Sequence, residues 1–157
     1  MKQRCGNCGK TALVKVPYTF KRELDGRTFA GEVAARRCEA CGETRVSGPG
    51  ALAFERALVA ELARGEVGPQ GFRFLRRAAG LQASRLAELL DVTPGTISRW
   101  ENGKKPLERR AVALVASLAL EAQGDRAATR DLLERLASRR KPPRRVVLGV
   151  MPHPERP

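Results

Sequence analysis

The sequence is short of what most enzymes and membrane proteins need. It has one histidine in 157 residues. That residue, His153, is isolated between prolines, and no Ser-His-Asp set can be assembled with it. No glycine-rich phosphate loop is present. No apolar run approaches the ~18–20 residues that a membrane span requires. The N-terminal MKQRCGNCGK lacks the apolar segment of a signal peptide. These absences set the first expectations: no catalytic residue, no enzyme, no membrane, and a cytoplasmic setting in which thiols stay reduced.

Positive charge is abundant. Thirty Lys and Arg stand against 17 Asp and Glu, for a formal net charge of +13. The excess is spread along the chain and is densest in residues 139–157. A surplus of this sign favours polyanions, so nucleic acid is the first partner to consider. The same surplus fits an ordinary soluble protein from an Arg-preferring genome, so the motifs must decide.

The four cysteines form two CxxC pairs, Cys5-Gly-Asn-Cys8 and Cys38-Glu-Ala-Cys41, each followed by glycine (Gly9, Gly42). The spacing lets a tight turn aim both sulfurs of a pair at one ion, and two such knuckles give tetrahedral S₄ coordination, the preference of structural zinc. Two alternatives compete. Disulfides are disfavoured in a reducing cytosol, and a redox-active pair lacks its βαβ context. One structural Zn²⁺ per chain, with no open position for a catalytic water, is therefore expected on Cys5, Cys8, Cys38 and Cys41. β-type segments at Ala12–Phe20 and Thr28–Arg36, around a turn at Asp25-Gly26, fill the space between the knuckles. Tyr18 and Phe20 alternate along the first segment. They either pack beside the metal site or offer a partner-binding face.

After a break at Ser47-Gly48-Pro49-Gly50, Ala51–Arg64 carries a helical apolar stripe. Gly65, Gly68, Pro69 and Gly71 then suggest a flexible joint and two halves that fold independently. Four further helices follow: Gly71–Ala79, Ala83–Leu90, a short helix in Thr93–Gly103, and Pro106–Glu121. In the short helix Thr93 caps, Pro94 occupies the first turn and Gly103 stops it. Ile97 and Trp100 fall on one side; Gly95, Ser98, Arg99 and Asn102 fall on the other. A small, polar, basic outer face suits a helix laid in a DNA major groove. A fifth helix is expected up to about Ser138. The last two helices offer either a dimer surface or packing onto their own domain. Residues 139–157 read as a disordered basic tail, or as an arm adding non-specific phosphate contacts.

The segment LAELLDV followed by TPGTISRWENGK resembles the Cro/CI-type (XRE-type) helix-turn-helix. The pair Leu86-Ala87, Val92, Ile97, Trp100 and Glu101-Asn102-Gly103 carry the likeness. Two CxxC knuckles around Val16-Pro17-Tyr18-Thr19-Phe20, then a linker and this unit, resemble the MqsA-type antitoxins with their YgiT-type zinc finger. The resemblance covers about residues 5–121. It implies a bacterial, nucleoid-associated homodimer that reads a palindromic double-stranded DNA operator, represses its own operon and neutralises a toxin through the zinc domain. It places Gly95, Thr96 and Arg99 nearest the bases and Thr93, Asn102, Lys104 and Lys105 on phosphates. It also implies an ion pair between Arg76 and Glu101. Two positions depart from the family: Ala83 stands where glutamine is usual, and Gly95 has no side chain with which to read a base. The alternatives are a stand-alone regulator without a toxin and an RNA-binding zinc ribbon.

The expected architecture is α+β in two domains. A four-Cys zinc β-module (1–47) and a helical linker (48–69) precede an all-α helix-turn-helix domain of about five helices (70–138) and a basic tail (139–157).

Overall fold

The computed structural model describes residues 3–124 and 143–150. The class is α+β as expected: among the described residues, the strands beside the cysteine cluster come first, then five helices. β1 (Leu13–Leu24) and β2 (Arg27–Cys38) form a hairpin paired over its full length, from Leu13 opposite Cys38 to Leu24 opposite Arg27. Asp25 and Gly26 make the two-residue loop, with φ of 53° and 71°. Positive φ at both central positions gives the turn whose twist matches the flanking strands. The strands run past the predicted ends on both sides of the turn, because pairing across the ladder outlasts the apolar alternation that marked them in the sequence.

β3 (Thr44–Val46) adds antiparallel to β2 beside the second knuckle. α1 (Gly48–Leu62) follows, with Ser47 accepting a bond from Gly50 N–H as its cap. α2 (Pro69–Ala78), α3 (Ala83–Leu89), α4 (Pro94–Glu101) and α5 (Arg109–Ala122) match the four later helices expected, with shifted ends. The helix expected up to Ser138 lies outside the described residues.

Part of the presumed disordered tail is instead ordered. β4 (Arg145–Val147) pairs parallel with β2 at Thr28–Ala30, and Leu148 is buried. The charge-rich composition of the tail hid the apolar run Val146-Val147-Leu148, which supplies the strand. Residues 139–142 and 151–157 lie outside the described residues.

The linker is not a spacer. Phe54, Leu58, Val59 and Leu62 of α1 are buried in one apolar cluster, together with Leu24, Phe29 and Val33 of the hairpin, Phe72 and Leu75 of α2, Trp100 of α4, Val115 of α5, and Leu148. A single core thus runs through both halves. The boundaries drawn at residues 47 and 69 mark changes of secondary structure, and the core crosses both. Leu52 of the same helix is exposed, while Gly50 sits against the backbone of Ala34.

Candidate functional site

Two arrangements carry chemistry: a cysteine cradle at the open end of the hairpin and a small polar surface on α4.

The cradle is two matching knuckles. Gly9 N–H donates to Cys5 O and Gly42 N–H to Cys38 O, both at 2.8 Å. Gly9 and Gly42 sit at φ of 71° and 76°, which explains why glycine follows each CxxC. Cys5 Sγ is 3.7 Å from Cys41 Sγ, and Cys8 Sγ is 3.6 Å from Cys38 Sγ. All four sulfurs lie within 4.8 Å of one another. Metal–sulfur bonds of about 2.3 Å in a tetrahedron put sulfurs about 3.8 Å apart, so the set fits one ion with a small contraction of its longer edges. Cys5 and Cys38 are buried, and Asn7 offers its side-chain N–H to Cys41 Sγ at 3.8 Å. The backbone N–H groups of Cys8 and Asn7 hold the Cys5 thiol down at about 6. At Cys8 the Lys10 N–H also lowers the thiol, but burial and the Cys41, Cys38 and Cys5 sulfurs outweigh it, for a value of about 11. The four sulfurs titrate as one coupled set, and an ion bound by them would displace the protons that remain.

Tyr18 and Phe20 share a strand face but part in role. Phe20 packs edge-on against Phe54 with ring centroids 4.8 Å apart, whereas Tyr18 is 43% exposed. An open cleft of about 1170 Å³ runs between the first knuckle, Val16-Pro17 and the start of α1, lined by Arg4, Arg36 and Arg45. Neither aromatic lines it.

On α4, Thr93 Oγ1 accepts from Thr96 N–H at 3.2 Å, which is the cap expected of it. Thr96 is buried at 8% exposure, unlike a residue laid on bases. Its hydroxyl lies 3.1 Å from Thr93 Oγ1 and accepts from Arg99 Nη2 at 3.1 Å. The Arg99 guanidinium lies across Gly95, where an added Cβ would be 3.5 Å from Nη1. Gly95 and Thr96 thus seat Arg99 rather than extend the surface themselves. Arg99 and Ser98 are exposed; Ile97 and Trp100 are buried as the helical period requires.

Asn102 is already committed. Its amide donates to Ser98 O at 2.8 Å and Ser98 Oγ at 3.3 Å, and its oxygen accepts from Arg73 Nη2 at 2.9 Å. Lys104 and Lys105 are exposed just beyond Gly103, whose φ of 68° ends the helix. Lys105 Nζ sits 4.0 Å from Glu108 and 5.8 Å from the Trp100 ring centroid.

The Arg76–Glu101 pair is present and bidentate: Nε to Oε1 at 2.6 Å and Nη2 to Oε2 at 3.2 Å, with Arg76 Nη1 on Leu81 O. Arg73 joins it, with Nε 3.1 Å from Glu101 Oε2. The family likeness does not single out Arg73, although its position one turn before Arg76 on the same helix face signals the contact. Two arginines of α2 therefore hold the last turn of α4.

Together these elements make a four-cysteine β-module joined to a helix-turn-helix. A helix-turn-helix family model matches residues 72–124, that is, α2 through α5, and supports a DNA-binding regulator. No curated protein and no solved structure matches the chain. Among the described residues, no helix is long and apolar enough to cross a membrane.

Proposed function

We propose that the protein is a zinc-containing, sequence-specific transcriptional repressor that binds palindromic double-stranded DNA as a homodimer. The observation that carries this reading is the Thr93–Thr96–Arg99 ladder on α4, within the segment similar to a helix-turn-helix family. A guanidinium held by a buried hydroxyl loses little freedom on docking, and Arg bidentate to guanine is the commonest specific contact in the major groove. Arg99 reads the base. Gly95 lets the helix backbone approach, and Lys104 and Lys105 take phosphates, which set register. Thr93 holds the helix start, and Asn102 reaches the backbone only by way of its contacts with Ser98 and Arg73. Zinc on Cys5, Cys8, Cys38 and Cys41 holds the cysteine end of the hairpin closed; with all four positions taken by thiolate it supplies folding energy and no chemistry.

By resemblance the repressor is the antitoxin of a type II toxin–antitoxin pair, and its exposed Tyr18 belongs to the toxin-facing surface. Selection of duplexes from a random pool tests the DNA reading: a palindrome with guanine under Arg99 is expected, and equal affinity for structured RNA would sink it. Co-expression with the adjacent gene tests the antitoxin reading. A stable complex lost with Tyr18→Ala supports it, and no complex leaves a stand-alone regulator.

A further inference from the structure

The tip of the cysteine-module hairpin is built into the helix-turn-helix. Gly68, the N-cap residue of α2, has no side chain with which to satisfy the free N–H groups there. Asp25 does so from more than 40 residues upstream. Its Oδ2 accepts from Gly68 N–H at 3.1 Å and Gly71 N–H at 2.8 Å, and its Oδ1 accepts from Gln70 N–H at 2.8 Å. Gln70 answers by accepting from Asp25 N–H at 3.0 Å. The receptor is shaped for that carboxylate. A Cβ at Gly68 would collide with the Asp25 carboxyl carbon, and one at Gly71 would stand 2.9 Å from Oδ2. The negative charge also meets the positive end of the helix dipole.

α2 carries the contact onward. Its Arg73 and Arg76 grip Glu101 at the far end of α4. Leu24, next to Asp25, and Phe72 and Phe74 of α2 lie in the common core, with Arg22 4.7 Å above the Phe74 ring. Trp100 packs edge-on against Phe72 at 5.9 Å. A packed, hydrogen-bonded chain thus joins the hairpin tip to the helix that bears Arg99.

We propose that Asp25 is a positioning residue for α4: by clamping the start of α2 it sets the pose of the DNA-reading helix, and so ties DNA affinity to the state of the cysteine module. The link to affinity rests on the DNA-binding reading above; the clamp itself does not.

The test uses the full-length, metal-loaded chain, with metal content and far-UV circular dichroism checked at a temperature where each variant is folded. Asp25→Gly removes the carboxylate without straining the positive-φ turn, and Gly68→Ala attacks the same contact from the other side. Both should shift the emission and indole N–H resonance of Trp100, the only tryptophan. Both should weaken binding to the duplex selected by the parent protein by about 5- to 50-fold. Asp25→Asn, which keeps one acceptor oxygen, should fall between. Gly65→Ala, with nothing near its added methyl, should change nothing. The Asp25→Gly/Gly68→Ala double variant should be no worse than Asp25→Gly alone, since both act on one contact. An unmoved Trp100 signal with unchanged affinity in Asp25→Gly overturns the proposal, as does additivity in the double variant. If Trp100 shifts but the parent protein selects no duplex, the clamp stands and the DNA reading fails.

Discussion

At the residue scale, the proposed recognition of DNA rests on one side chain. Gly95 has nothing to offer a base, Thr96 is buried, and Asn102 is bonded to Ser98 and Arg73, which leaves Arg99 as the exposed charged side chain of α4 on that face. Arg99→Ala should lose about 1–3 kcal/mol of discrimination between the selected duplex and a scrambled one. Weak, salt-sensitive binding should persist through the lysines, which competition binding at two salt concentrations will separate. Thr96→Val keeps the buried volume and removes the anchor. It should lower discrimination less than Arg99→Ala while leaving α4 folded. Glu101 is the opposite kind of residue: buried, and held by two arginines. Glu101→Ala leaves Arg76 charged and unpaired in the interior and should cost about 3–5 kcal/mol in urea unfolding. Trp100 keeps the one buried side-chain polar atom with no hydrogen-bond partner among the described residues, its indole N–H. An orphan donor of this kind costs about 1–3 kcal/mol, which its packing against Phe72 and the surrounding core offsets.

At the element scale, the hairpin has two fixed ends. The knuckles close one end, and the Asp25-Gly26 turn docks at the other. The strands between are exposed along much of β1, so an ion bound by the four cysteines would supply much of the order at the cysteine end. Cys38→Ser, or chelation of the native protein, should abolish the knuckle amide protection seen in hydrogen exchange. It should also lower the unfolding temperature reported by Trp100 fluorescence, because Phe29 and Val33 of the same hairpin lie in the core shared with α4. A Trp100 transition unmoved by chelation would mean that the halves unfold independently. The glycines at 65–71 looked like hinge material. Two of them, Gly68 and Gly71, instead make room for a carboxylate, and their absent side chains hold the joint in place.

At the scale of the whole molecule, the C-terminal stretch closes the core. Thr28 N–H donates to Arg144 O at 2.9 Å and Leu148 N–H to Ala30 O at 2.7 Å. The buried Arg27 reaches Pro143 O at 3.1 Å and Glu61 at 3.8 Å, joining β2, α1 and the tail. Val150 packs where Gly31 leaves space. Leu148→Ala should cost about 2–5 kcal/mol despite lying in what reads as a solubilising tail. Circular dichroism and Trp100 emission should then still report a single shared transition at a lower midpoint.

The sequence by itself determined the local pieces, because each is written in adjacent residues. CxxCG sets a knuckle, Asp25-Gly26 a two-residue turn, Thr93-Pro94 a helix start, and the spacing of Ile97 and Trp100 a buried face. The spacing of the cysteines foretold that all four would gather, and the likeness to a known helix-turn-helix foretold the Arg76–Glu101 pair. Only the tertiary structure decided what distant residues do to one another. Asp25 caps a helix 43 residues on, Arg73 of α2 engages Asn102 beyond the end of α4, and Leu148 comes back to β2. None of these leaves a period or a spacing to read. Each depends on the hairpin, the linker helix and the helix-turn-helix burying one common core, and that burial is what makes a hairpin tip part of the frame that holds α4.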